Sequence, residues 1–178
     1  QDQNYQHLLD FLDQQQDLDA LFLLGDIFEL WLGYKSLVFS AYVPVLEKLR
    51  QLSENGTKLY YVEGNHDFNV GPYISETLNC SVIADQQLVD WDGKKLLLSH
   101  GDLLNPNKNY QQLRAFWRSA PIRLLNKIVH PDLIWAFGIW LSNMGRKKKR
   151  SAHSWDPSHL IQPFAESELA TTADAIIC

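Results

Sequence analysis

The chain has 178 residues, 46% of them hydrophobic and 12% aromatic, which fits a globular protein with one core and excludes a disordered or fibrous class. A formal net charge of −5, from 16 basic and 21 acidic side chains, argues against nucleic acid as a stable partner. Two cysteines, Cys80 and Cys178, are too few for a disulfide scaffold, and no apolar run is long enough to span a bilayer.

Taken in chain order, Tyr5, Leu8, Leu9 and Leu12 recur at helical spacing and predict a first amphipathic helix. Residues 20–24 form an apolar, strand-like run that ends on Gly25-Asp26-Ile27-Phe28-Glu29. A helix is predicted from Ser36, as its N-cap, to about Glu54, with Pro44 as a kink and Gly56 as the stop. A strand over 58–62 leads into Gly64-Asn65-His66-Asp67. A short helix over 72–78 and a short strand over 81–84 follow. Residues 86–91 and 94–99 flank Asp92-Gly93, a hairpin signal, and the second arm ends on Ser99-His100-Gly101-Asp102. Strands alternating with helices predict an α/β class.

Beyond Asp102 the strand signal stops. Residues 107–150 carry three helical patterns, marked by Leu113, Phe116 and Trp117, then Ile122, Leu125, Ile128 and Val129, then Leu133, Ile134, Phe137, Trp140, Leu141 and Met144. They read as a helical insertion, over 105–155, between two sheet strands, with a dense basic run at 146–150. Residues 173–178 read as a buried strand that stops at the last position. The expectation is one domain over 1–178, cut at both ends, with functional loops on either side of it.

Three strand ends therefore present Asp26, Asn65 and His100, where open α/β sheets place ligands. A carboxylate, an amide oxygen and an imidazole suit a divalent metal better than a nucleophilic triad. The two oxygens of Asp26 suit it to bridging two ions, and two ions about 3.5–4 Å apart hold the attacking and leaving oxygens of an in-line phosphoryl displacement. His66, beside Asn65, is the catalytic candidate, placed to act on the phosphate or the leaving oxygen by donating a proton or a charged hydrogen bond. Asp67, Asp102 and Glu29 read as groups that fix loops or imidazole tautomers around the ligands. A lone Gly-Asp after a strand is ordinarily a turn; all three motifs together, Asn65 lying 39 positions after Asp26 and His100 a further 35, carry the metal reading. His7, His130, His153 and His159 lack a ligand pattern and read as ordinary polar groups.

With these motifs the chain resembles the calcineurin-like metallophosphoesterases. Their pattern is Asp-x-His, Gly-Asp, Gly-Asn-His-(Asp/Glu), His and Gly-His-x-His, and its middle three parts match Gly25-Asp26, Gly64-Asn65-His66-Asp67 and His100-Gly101-Asp102. The resemblance implies two β-sheets packed together with helices outside, and a site holding two divalent ions, Mn²⁺ or similar. Gly25-Asp26-Ile27-Phe28-Glu29-Leu30-Trp31 is similar to a branch that hydrolyses the pyrophosphate of UDP-2,3-diacylglucosamine, a nucleotide-lipid of lipid A biosynthesis. That branch implies a helical cap over the acyl chains, substrate contacts from Asn107, Tyr110 and Arg114, and a cytoplasmic enzyme on the inner face of a Gram-negative inner membrane. The branch typically has Arg where this chain has His66, the commoner residue across the wider family. Two alternatives stay open: another phosphoester substrate on the same site, and a non-catalytic binding protein on this fold. The aromatic stripe and basic run fit an anionic membrane surface, or else plain packing of the insertion onto the sheet, by Trp135, Phe137, Trp140 and Leu141, beside a solvated helix end.

Overall fold

The computed structural model describes residues 3–15, 17–104, 107–149, 162 and 164–178. Two three-stranded sheets form the frame. In the first, β1 (Ala20–Leu23), β2 (Lys58–Val62) and β3 (Cys80–Ile83) run parallel, with β2 in the centre. In the second, β4 (Gln86–Trp91) and β5 (Lys94–Ser99) make an antiparallel hairpin, and β6 (Ala175–Ile177) joins β5 in parallel. Asp92 and Gly93 both take positive φ, 51° and 72°, as a two-residue hairpin turn of the right twist requires.

Strand alternation divides the core in two. Leu21, Leu23, Leu59 and Tyr61 face α1 (Gln3–Gln14) and α2 (Val43–Glu54), packing with Leu12, Val45, Leu46, Leu49 and Leu52. Phe22, Tyr60 and Val62 face the other way and meet Val89, Leu96 and Leu98 of the second sheet. Phe22 stacks on Tyr60, and Trp91 stands edge-on to both. The result is a β-sandwich in which α1 and α2 cover the outer face of the first sheet, the α/β class that the strand–helix alternation predicted.

Two expectations change. The helix expected from Ser36 begins at Val43, after a 3-10 turn over Ser40–Tyr42, so Ser36 is not its cap. Pro44 lies in the first turn, where its missing N–H costs nothing, and it starts the helix rather than kinking it. The last strand is present as β6, but Ala175 is exposed and Ile176 and Ile177 are only half-buried, because among the described residues the strand has β5 as its single neighbour.

Between β5 and β6 the chain forms α3 (Lys108–Trp117), α4 (Ala120–Ile128) and α5 (Pro131–Lys149). Trp135 of α5 packs on Phe39 and Tyr42, with ring centroids 4.3 and 5.5 Å away, and a Cβ on Gly138 would lie 2.4 Å from Leu30 Cδ2. Phe137 and Trp140 are instead about half exposed. The side chains of the basic run at 146–150 fall outside the described residues, as do His153, His159 and the expected boundary of the insertion at 155. Among the described residues no helix is long and apolar enough to cross a membrane.

Candidate metal centre

The site forms where the C-terminal ends of strands from both sheets meet: β1 leads to Asp26, β2 to Asn65 and β5 to His100. The chain turns sharply after β1, with Gly25 at φ +82° and Asp26 itself at +53°. A Cβ on Gly25 would lie 2.7 Å from Gly64 Cα and from His100 Nδ1, so only glycine lets the three loops close in. Gly64 is as constrained, since its Cβ would come within 2.3 Å of Asp26 Oδ1.

Asp26 divides its oxygens. Oδ1 accepts the backbone N–H groups of Asn65 and His66, each at 2.9 Å. Oδ2 faces His100 Nε2 at 3.6 Å. His100 Nδ1 lies 2.6 Å from the Leu24 carbonyl oxygen, which can only accept, so Nδ1 carries a proton and Nε2 is the ring atom turned toward Asp26. A ring nitrogen and a carboxylate oxygen thus converge on one point. His66 is oriented the same way, its Nδ1 donating to the Glu29 carbonyl oxygen at 3.2 Å. Glu29 therefore meets this site through its backbone. Asn65 is exposed beside Asp26.

Asp67 is fully buried, and its carboxylate is a junction. Oδ1 accepts the N–H groups of Asp26 at 2.9 Å and Gly64 at 3.0 Å; Oδ2 accepts those of Ile27 at 2.7 Å and Phe28 at 3.2 Å, and the Tyr61 hydroxyl. Burial, reinforced by the Asp67 carboxylate, pushes the Tyr61 hydroxyl well above the usual phenol range, so it stays a donor.

Asp102, nearly buried, accepts from Arg114 Nε at 2.6 Å, and Arg114 also pairs with Asp85. The Arg114 guanidinium, expected at the substrate, is thus held between two carboxylates. Asn107 caps α3, its Oδ1 accepting from Asn109 N at 2.9 Å and Tyr110 N at 3.4 Å. Burial raises the Tyr110 hydroxyl's pKa, with the Asp102 carboxylate and then Asp26 adding to it.

Sequence reasoning missed Tyr61, Glu63, Asp85 and Arg118. Glu63 bridges the Val70 N–H, at 2.9 Å, and Arg118 Nη1, at 3.1 Å, and burial raises its pKa despite both partners. The one available signal was position: Glu63 directly precedes the Gly64-Asn65-His66-Asp67 motif.

The donor set fits a divalent cation. The Asp26 carboxylate, the His100 imidazole and the Asn65 amide are oxygen and nitrogen donors of the kind Mn²⁺ or Zn²⁺ takes, and Asp26 Oδ2 and His100 Nε2 lie 3.6 Å apart. Among the described residues no group of three His, Cys, Asp or Glu side chains that could hold a metal ion comes together.

The calcineurin-like phosphoesterase family model matches residues 1–178. A UDP-2,3-diacylglucosamine hydrolase of Pseudomonas paraeruginosa is 35% identical over 118 residues, covering 65% of this chain and 48% of that protein. Its counterpart in Pseudomonas aeruginosa is 34% identical over 119 residues, with the same two coverages of 65% and 48%. One from Nitrosococcus oceani is 34% identical over 116 residues, 64% of this chain and 46% of that protein. The chain spans about half the length of the curated relatives it matches.

Proposed function

The chain belongs to the calcineurin-like phosphoesterase family, and from that membership we propose that it carries part of the catalytic centre of a metal-dependent hydrolase that cleaves the pyrophosphate of a nucleotide-lipid such as UDP-2,3-diacylglucosamine, adding water and releasing UMP and a lipid phosphate. The observation that carries this reading is the 3.6 Å approach of His100 Nε2 to Asp26 Oδ2, an imidazole and a carboxylate converging where both sheets end.

Two divalent ions, Mn²⁺ in this reading, supply charge neutralisation at the phosphate and lower the pKa of water when bound. Asp26, Asn65 and His100 would hold them. Asp26 also orders the Asn65-His66 backbone through its two N–H bonds, and Asp67 fixes the Asp26 backbone in turn. His66, held at Nδ1 by the Glu29 carbonyl, would use Nε2–H to donate to the departing oxygen.

The relatives' names support the substrate class, and so do exposed apolar side chains on α3 to α5. Phe116, Leu124, Ile128, Leu133, Phe137 and Trp140 are all more than half exposed, a surface suited to acyl chains or to an anionic membrane at the cytoplasmic face. Asn107 and Tyr110, at the start of α3, are the substrate contacts of this reading.

The test is UMP release from UDP-2,3-diacylglucosamine by the full-length protein with Mn²⁺, run beside a chromogenic phosphodiester. UMP release supports the reading. Cleavage of the chromogenic ester alone keeps the metal site and moves it to another phosphoester substrate. Hydrolysis of neither overturns it.

A further inference from the structure

Arg114 and Arg118 lie four residues apart on one face of the end of α3, and both guanidinium groups point away from solvent toward the metal-site loops. Arg118 donates from Nη1 to the Ala84 carbonyl oxygen at 2.8 Å and to Glu63 Oε2 at 3.1 Å, and from Nη2 to the Gly64 carbonyl oxygen at 3.0 Å. Its guanidinium carbon also lies 5.6 Å from the centre of the Phe68 ring. Apart from Ala84, these contacts fall at 63, 64 and 68, on both sides of Asn65-His66-Asp67. The other Glu63 oxygen takes the Val70 N–H at 2.9 Å, closing a brace around the whole turn. Arg114 meanwhile grips Asp102, two residues beyond His100, and shares Asp85 with Arg118.

One helix therefore braces the loop carrying Asn65 and the loop carrying His100. We propose that Arg118 is a positioning residue that holds the Gly64–Asn65 peptide in ligating geometry, and that through it the seating of α3 and the affinity for metal are coupled. This rests on the reading that Asn65 and His100 are ligands.

The physical reason is burial. The Glu63 and Asp102 side chains are 9% and 4% exposed, and the two arginines 17% and 12%. Charges this sheltered are costly to leave unpaired, so the network is either assembled or broken as a unit. When α3 lifts, the Gly64 carbonyl and the Glu63 carboxylate lose their donor together, and the Asn65 and His66 N–H groups that hold Asp26 lose their frame. Coupling of this kind is reciprocal: metal at the loops stabilises the seated helix as much as the seated helix favours metal. An insertion that closes over substrate would then tighten the metal site in the same movement.

The experiment compares full-length wild type, Arg118→Ala, Arg118→Lys and Glu63→Gln. It uses Mn²⁺ calorimetry, amide hydrogen exchange with and without Mn²⁺, and kcat and KM on a chromogenic diester. Arg118→Ala is expected to weaken Mn²⁺ binding about ten-fold or more and to lower kcat with KM little changed. Arg118→Lys, which keeps one charged donor, recovers part of both. Mn²⁺ slows exchange over residues 108–117 in wild type and not in Arg118→Ala. Affinity within two-fold of wild type in Arg118→Ala overturns the proposal, as does an α3 in wild type whose exchange ignores bound Mn²⁺. If Arg118→Ala fails to fold, Arg118→Lys and Glu63→Gln carry the comparison, and wild-type affinity in both overturns it. If wild type binds no Mn²⁺, the ligand reading itself has failed; metal-free exchange then tests the brace alone, and Asn65 and His66 amides no faster in the variants overturn that too.

Discussion

The carboxylate of Asp67 accepts the backbone N–H of Asp26 at 2.9 Å, across 41 positions of sequence, and so locks the loop after β1 to the loop after β2. The bond makes the Asp26 backbone, strained at φ +53°, part of a rigid frame. Asp67→Asn keeps the shape but turns an NH₂ toward backbone donors. We expect a loss of about 3 kcal/mol, from the weakening of charge-assisted bonds and the burial of a mismatched donor. Thermal or urea unfolding of the variant checks it, and wild-type stability would show that the junction is not rigid.

Alkaline pH should destabilise the fold through three buried acids. Burial pushes the Tyr42 hydroxyl up to about 12 and the Cys80 thiol up to about 12, and it raises Tyr61 with help from Asp67. In the unfolded chain these groups ionise near about 8.5 for the thiol and about 10 for the phenols. The native state thus keeps protons that the unfolded chain releases, so stability is full below pH ~8.5 and falls as pH rises toward ~12, by about 1.4 kcal/mol per pH unit for each group in its window. Urea midpoints at pH 7.5, 9.5 and 11 measure the slope. Cys80→Ala should remove the earliest part of the loss.

Two glycines separate close approach from simple turn geometry. A Cβ on Gly64 would meet Asp26 Oδ1 at 2.3 Å and Asp67 Oδ1 at 2.7 Å, whereas one on Gly93 meets nothing within 4 Å. Gly64→Ala should cost about 1–3 kcal/mol and most of the metal affinity, because the Asp26 carboxylate must move. Gly93→Ala pays only for its φ of +72°, about 1–2 kcal/mol, and should leave Mn²⁺ binding unchanged. Calorimetric Mn²⁺ titration of both variants separates the two effects.

Legibility in the sequence follows locality. Asp26, Asn65 and His100 stand out because each closes an apolar run, and the strand ends they predict are there as β1, β2 and β5. The Asp92-Gly93 hairpin is legible for the same reason, since two adjacent residues fix the turn. The start of α2 is misread because Ser36 is a good cap in isolation, while Pro44 decides where the helix can begin. Arg118 is invisible for a different reason. Its partners Glu63 and Gly64 lie 55 and 54 positions away, and an arginine on an amphipathic helix reads as solvated until the helix is docked. The exposure of Phe137 and Trp140 beside a packed Trp135 is likewise set by where α5 crosses Leu30 and Phe39, which periodicity alone does not encode.

Asp26→Asn tests the metal site with little change of shape. Oδ1 can still accept from Asn65 and His66, so the loops should stay closed. The new NH₂ faces the His100 Nε2 lone pair and donates to it, occupying the point where a cation would sit. We expect a folded protein whose Mn²⁺ affinity and kcat both fall at least about 100-fold, beyond what loss of an outer partner costs. Near-normal turnover would remove Asp26 from the site.

His66→Ala distinguishes proton donation from metal binding. The Nδ1 bond to the Glu29 carbonyl fixes the ring without using Nε2, so that atom is free for the departing oxygen. A general acid matters in proportion to the basicity of its leaving group. With a nitrophenolate leaving group, which departs unaided, the variant should lose less than about ten-fold in kcat. With an alkoxide, which is far more basic, it should lose about 10²–10⁴-fold, while Mn²⁺ affinity stays at the wild-type value. A uniform loss across leaving groups, or a parallel fall in Mn²⁺ affinity, would assign His66 to holding the ion instead.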